Sequence, residues 1–321
     1  MNTILVSGAS GIVGYGILKT LKECDNVKLI GTSIYNDSIA QVFCDVFELA
    51  PKTNSPEYLS WLIGIVKKHS ISMIIPGIEA DMSFWNNHRQ IIESSGTFAL
   101  LNNSNLISLC ADKWVFYKKL EEINFQNRIF STITPNYNRI KFPVLLKPRC
   151  GFGSKGIVKV ADTQTLNKYK MQIGSNLILQ EFIDGNDSEI TASAFFDKNS
   201  QLKAYIMLER KLSSQGFTEK ARIVEVSEIK SHIDRLAKFL TPVGPTNFQF
   251  RRDDNGKWKL LEINPRISSS TSIRAAFGYN EGKMSVEYFI DNKEILQPRI
   301  KTGYAIRYME DYISYENSTN L

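Results

Sequence analysis

The 321-residue chain is long enough for two or three domains, and its 43% apolar and 22% charged residues are ordinary for a globular protein, so disorder is not indicated. A formal charge of +6 suits an anionic small molecule, but Lys and Arg are scattered rather than massed in a stripe, so no nucleic-acid partner is expected. Cys24, Cys44, Cys110 and Cys150 stand far apart without zinc or disulfide spacing, which fits a cytoplasmic location, and the most apolar run, 61–66, is too short to span a bilayer, so no membrane is expected.

Residues 3–7 read as a buried strand, followed by Gly8, Gly11 and Gly14 and a helix over 12–21. Such a turn either brings backbone N–H groups to a pyrophosphate or only permits tight helix-on-strand packing. The next strand, 27–32, ends at Thr32 and Ser33, where a dinucleotide site would place an acid for a ribose hydroxyl. Packing is therefore expected here. Tyr137 and Lys141 have the spacing of a short-chain dehydrogenase pair, but they follow Pro135 in a turn-rich stretch. A helix over 55–69 leads into a strand at 71–76, beyond which Glu79 and Asp81 either face a substrate or sit at a helix N-terminus.

One helix is expected over 105–122, with Leu106, Leu109, Cys110, Trp114, Tyr117 and Leu120 on its buried face and Lys113 beside it. An apolar strand then carries Lys147, followed by Gly151, Gly153, Ser154 and Gly156 and a second strand at 157–160. A P-loop would continue as helix, so this is no Walker A motif. A glycine hairpin can still close over phosphates, and a lysine inside an apolar run is costly to desolvate unless an anion pairs with it. A short helix over 165–171 and a strand over 176–183 come next, then a turn at Asp184-Gly185 and a strand over 190–196. Phe182 and Ile183 beside Glu181 offer an apolar slot with backbone donor and acceptor for an adenine, and Glu189 offers a carboxylate for ribose.

Residues 246–251 alternate Phe248 and Phe250 against Asn247, Gln249 and Arg251, and 260–266 alternate Leu260, Glu262, Asn264 and Arg266 against Leu261 and Ile263. If Asn255-Gly256 forms a two-residue type I′ turn, Asp254 pairs with Lys257 and Gln249 faces Glu262. Gln249, Glu262 and Asn264 then supply two or three hard oxygens, too few for a protein-only cage but suited to Mg²⁺ shared with nucleotide phosphates. A solvated, merely polar hairpin face is the alternative.

The order of these parts resembles the ATP-grasp superfamily, and within it the single-chain relatives of the carbamoyl-phosphate synthetase large subunit. The resemblance implies α/β and α+β architecture: an amino-terminal Rossmann-like pre-ATP-grasp domain over 1–110, a subdomain with the glycine-rich lid over 111–178, and a carboxy-terminal subdomain with the metal site over 179–321. It implies ATP with Mg²⁺, or Mn²⁺, in a carboxylate–amine ligase that works through an acyl phosphate and leaves a homo-oligomer open. Lys113, Lys147, Gly153, Ser154 and Gly156 would meet the phosphates, Glu181, Phe182 and Ile183 the adenine, and Glu189 the ribose. Gln249, Glu262 and Asn264 would take the metal, while Lys147 and Arg266 would act at the transferred phosphoryl group. Relatives often continue Arg-Phe-Ser-Gly-Gly where this chain has Arg266-Ile267-Ser268-Ser269-Ser270. An ATP-binding module without ligase activity, and a nicotinamide-dependent reductase using the first glycine turn, are the rival readings.

Overall fold

The computed structural model describes residues 1–135, 140–151, 156–184, 189–213 and 216–313. Among these residues the strands form three sheets. The first holds β1 (Asn2–Val6), β2 (Val27–Ser33), β3 (Val46–Leu49), β4 (Met73–Ile75) and β5 (Phe98–Ala99), all parallel in the order β3-β2-β1-β4-β5. Alternation along β1 serves two cores: Leu5 packs with Tyr58, Leu62 and Trp85, while Ile4 and Val6 pack with Ile17, Leu18 and Leu21 of the helix Ile12–Leu21. The first glycine turn is used for close packing. A Cβ on Gly14 would lie 2.4 Å from the Gly8 carbonyl oxygen, and one on Gly77 would lie 2.1 Å from the Ser7 oxygen and 2.9 Å from the Gly14 Cα.

The single helix expected over 105–122 is two helices, Ser104–Ala111 and Lys113–Glu122. They break at Asp112, which leaves helical geometry to cap the second one, its carboxylate accepting from the backbone N–H of Trp114 (2.8 Å) and Val115 (3.3 Å). Lys113 is thereby moved from mid-helix to the first helical position.

The second sheet is antiparallel, ordered β6-β9-β7-β8, with β6 (Ser131–Thr132), β7 (Val144–Pro148), β8 (Val158–Val160) and β9 (Leu177–Glu181). Strand β9 runs across the expected division at 178. The third sheet joins β10 (Glu189–Phe196), β11 (Leu202–Leu212), β12 (Thr218–Val224), β13 (Gly244–Arg252), β14 (Trp258–Asn264) and β15 (Tyr304–Ile306), antiparallel in the order β14-β13-β10-β11-β12-β15. The helix Ser227–Leu240 lays Ile229, Ile233 and Leu236 against Phe248, Phe250 and Leu260 of this sheet.

In the β13–β14 hairpin Gln249 does pair with Glu262, but by another route than a type I′ turn. Asp253 rather than Asp254 closes the loop with Lys257, through an N–H···O bond of 2.9 Å, and Gly256 takes the left-handed conformation with φ +79°. This is a three-residue loop. It is held by the Asp253 carboxylate, which accepts from the backbone N–H of Asn255 (3.0 Å) and Lys257 (2.8 Å). The resulting register would set Gln249 against Leu261, but the ladder shifts between Gln249 and Phe250, so Phe250 pairs with Leu260 and Gln249 with Glu262. Leu261 is the extra residue of a β-bulge. The bulge overturns the expected faces at one point: Leu260, 1% exposed, lies in the core with Trp258, and Leu261 does not.

Candidate functional site

Lys147 stands on β7, within electrostatic reach of the Glu262 and Glu189 carboxylates of the third sheet. Burial pushes its pKa below the ordinary lysine value, Lys113 and Arg251 push the same way, and the Glu262 and Glu189 carboxylates oppose them. Among the described residues its Nζ makes no hydrogen bond. Lys113 reaches the same region from the start of its helix: its Nζ donates to the Gly151 carbonyl at 2.8 Å and its backbone N–H to the Arg149 carbonyl at 2.9 Å. Asp112 fixes that corner, since it also holds Arg149 in an ion pair of 2.6 Å. Gly156 follows with φ +75°, while Gly153, Ser154 and Gly185 lie outside the described residues.

At the end of β9 the Glu181 carboxylate accepts from the Phe130 backbone N–H at 3.0 Å, tying the strand to its neighbour. The Phe182 ring carries the Lys159 ammonium 3.9 Å above it. Ile183 is buried, and its carbonyl accepts from Arg251 Nη1 at 3.1 Å. Glu189, 4% exposed, is gripped from both sides: Oε1 accepts from Arg210 Nε (3.1 Å) and Nη2 (2.5 Å), and Oε2 from Arg251 Nη2 (3.2 Å).

The bulge turns Glu262 and Asn264 away from the core, onto the face that Gln249 presents from β13. Asn264 Nδ2 donates to Glu262 Oε1 at 3.2 Å, which orients its amide oxygen away from that carboxylate. Among the described residues no three His, Cys, Asp or Glu side chains could hold a metal together. One carboxylate and two amides remain, a hard-oxygen set that fits Mg²⁺ only if a ligand completes the shell.

Arg266 is ion-paired to Glu79, the first residue of the helix Glu79–Asn87 beyond β4, and donates Nη1 to the Ile267 carbonyl at 2.7 Å. Asp81 has an internal role instead, accepting from Thr53 Oγ1 (2.6 Å) and Tyr58 OH (2.8 Å). The serines that follow Arg266 are pinned: Ser268 donates to Asn247 Oδ1 (3.4 Å), the Ser269 carbonyl accepts from Arg307 (2.9 Å), and Ser270 meets Thr218 Oγ1 (2.9 Å). Below them Arg274 and Glu281, both 0% exposed, pair at 2.8 Å, and Arg274 also donates to Asn247 Oδ1 at 2.5 Å.

Arg210, Asn247 and Arg274 were not singled out as site residues in the sequence. The signal that would have found Arg210 is a register across two strands, which only the folded sheet supplies. Arg251 had one local signal, its place beside Gln249 on the polar face of β13.

Residues 175–312 match the family model described as ATP-grasp in the biosynthetic pathway with Ter operon, and residues 8–100 match the PylC-like N-terminal domain. An ATP-grasp model thus covers the carboxy-terminal part of the chain, and with an amino-terminal parallel sheet, two antiparallel sheets and this order of lysines, acids and amides the chain is similar to the ATP-grasp superfamily. It is 24% identical over 222 residues to the carbamoyl phosphate synthase large chain of Archaeoglobus fulgidus, a match that covers 63% of this chain and 20% of that protein, so it spans about a fifth of that curated relative. Among solved structures it is similar to N5-carboxyaminoimidazole synthetase from Staphylococcus aureus complexed with ADP, at TM-score 0.74 and 14% identity over 93% of this chain and 80% of that one. The biotin carboxylase domain of the Hydrogenobacter thermophilus 2-oxoglutarate carboxylase, a dimer in complex with MgADP, ADP and bicarbonate, gives TM-score 0.72 at 15% identity over 94% and 73%. L-amino acid ligase from Bacillus licheniformis gives 0.66 at 12% over 90% and 74%. No helix among the described residues is long and apolar enough to cross a membrane.

Proposed function

We propose that the chain is an ATP-dependent carboxylate–amine ligase: a carboxylate oxygen attacks the γ-phosphorus, ADP leaves, and an amine displaces phosphate from the acyl phosphate to form an amide. The observation that carries this reading is the position of Lys147 on one sheet within electrostatic reach of Glu262, Arg251 and Glu189 on another, with no hydrogen bond to its ammonium among the described residues. A half-buried, partly desolvated cation in that position calls for an anion. Lys113, Lys147 and the glycine segment, Gly153, Ser154 and Gly156 included, would hold the phosphates. Glu181, Phe182 and Ile183 would frame the adenine, and Glu189 would take the ribose. Gln249, Glu262 and Asn264 would hold Mg²⁺, or Mn²⁺, which when bound offsets negative charge on the phosphoryl oxygens. Lys147 and Arg266 would steady the charge on the group in transfer.

A second reading, nucleotide binding without ligation, is favoured by the pinned serines at 268–270 and by the engagement of Arg266 with Glu79. The deciding measurement is ADP release with Mg-ATP across pools of amino acids and sugar acids, with mass spectrometry of what condenses. Acceptor-dependent ADP release together with an amide product supports the ligase. Mg-ATP binding with no release in any pool supports the second reading, and no Mg-ATP binding at all removes both.

A further inference from the structure

Arg251 is given no part of the nucleotide in the assignment above, yet it is bonded to the acid proposed for the ribose. Glu189 stands on β10 between β11 and β13, directly paired with Arg210 on one side and Arg251 on the other. The two arginines act differently. Arg210 gives both of its bonds to Glu189 to Oε1, filling that oxygen's two acceptor positions. Arg251 gives Oε2 a single bond and uses its other terminal nitrogen on the carbonyl of Ile183, at the far end of the connection from β9 to β10. Among the described residues, one lone-pair direction of Glu189, on Oε2, is thus left for a ligand hydroxyl. The Arg251 Nε is buried with no hydrogen-bond partner among the described residues.

We infer that Arg251 is a positioning residue for the nucleoside half of the nucleotide: its planar fork ties the residue closing the base slot to the acid that takes the ribose and sets which oxygen of that acid faces the sugar. The inference rests on the nucleotide assignment above and adds discrimination by the sugar, with an intact ribose as the favoured ligand. A lysine in its place would have one point of attachment and could not span both acceptors.

The test is calorimetric binding of three magnesium-complexed probes, ATP, 2′,3′-dideoxy-ATP and tripolyphosphate, to the wild-type chain, Arg251→Gln and Arg251→Lys. Wild type should prefer ATP to the dideoxy nucleotide. In Arg251→Gln, ATP affinity should fall roughly tenfold or more, as for loss of a charge-assisted hydrogen bond, and the preference should shrink toward one. Tripolyphosphate affinity should not move, because the phosphate end is untouched. Arg251→Lys keeps the charge beside Glu189, so it serves should the glutamine variant fail to fold, and it should lose sugar discrimination in the same direction. Equal weakening of ATP and tripolyphosphate, or sugar discrimination unchanged in Arg251→Lys, would overturn the inference alone. Failure of the wild-type chain to bind Mg-ATP would overturn the nucleotide assignment with it.

Discussion

The desolvation of Lys147 has two measurable sides. Its folded pKa is lowered from 10.5, chiefly by burial, so the native state binds its proton less well than the unfolded chain does. The stability associated with this group is therefore fully present above the unfolded value and is lost as pH falls through the lowered folded value. Lys147→Met should raise the unfolding temperature of the nucleotide-free chain at neutral pH, by on the order of 2 °C, and should abolish Mg-ATP binding. In the wild type, phosphates beside Lys147 would raise its pKa again, so ATP binding in the window just below pH 10.5 should take up protons. Calorimetry in buffers of different ionisation enthalpy would show it, and a buffer-independent enthalpy there would count against the lysine–phosphate contact. Glu262→Gln removes the only carboxylate among the proposed metal ligands. It should leave unfolding nearly unchanged and slow Mg-dependent ADP release about a hundred- to a thousandfold, the usual cost of losing a charge-stabilising group at such a site.

The hairpin of β13 and β14 shows how one extra residue reconciles two demands on a strand. Trp258 and Leu260 must face the core and Glu262 must face away from it, which strict alternation forbids, and the bulge at Leu261 permits both. Leu260→Ala should then cost about 2–5 kcal/mol of stability, as large-to-small changes in a packed core do, while Leu261→Ala should cost under about 1 kcal/mol. Denaturant unfolding of the pair measures this, and the reverse ranking would mean that no bulge is present. The same hairpin marks how far the sequence could be read. The Gln249–Glu262 pair was expected and is present, although the expected turn is absent, because a longer loop and a bulge each displace the register by one residue in opposite senses. Periodicity announced the helix Ile12–Leu21 and the strand Val27–Ser33 nearly to the residue, since each element carries its buried positions in its own pattern. It missed the break at Asp112, which caps the second helix and is held there by an ion pair with Arg149, just beyond β7 and 37 residues along the chain. Arg210, beside Glu189, was hidden for the same reason.

Between the parallel sheet and the six-stranded sheet, polar groups are matched across long sequence separations. Asn102, 3% exposed, donates to Thr246 Oγ1 at 2.8 Å and accepts from the Val243 backbone N–H at 2.9 Å. Glu79 and Arg266 form the second such link, and this one ends at the proposed site. Glu79→Gln should leave Mg-ATP affinity unchanged and lower ADP release about tenfold or more, because Arg266 loses a charged partner worth more than a neutral hydrogen bond. Parallel loss of binding and release would mean that the link serves only to hold the halves together.

The long reach of Asn102 also has a consequence in time. The parallel sheet is complete once Ala99 has left the ribosome, but Val243 and Thr246 are made well over a hundred residues later, a wait of roughly 10 to 30 s at ordinary rates of synthesis. Throughout that wait the nascent chain holds out an uncapped amide at Asn102 and, beside it, Leu100, whose packing partner Ile267 has not yet been made. Newly synthesised chains should therefore be most exposed to chaperones and to premature association in this interval, and slowing translation after residue 100 should lengthen it.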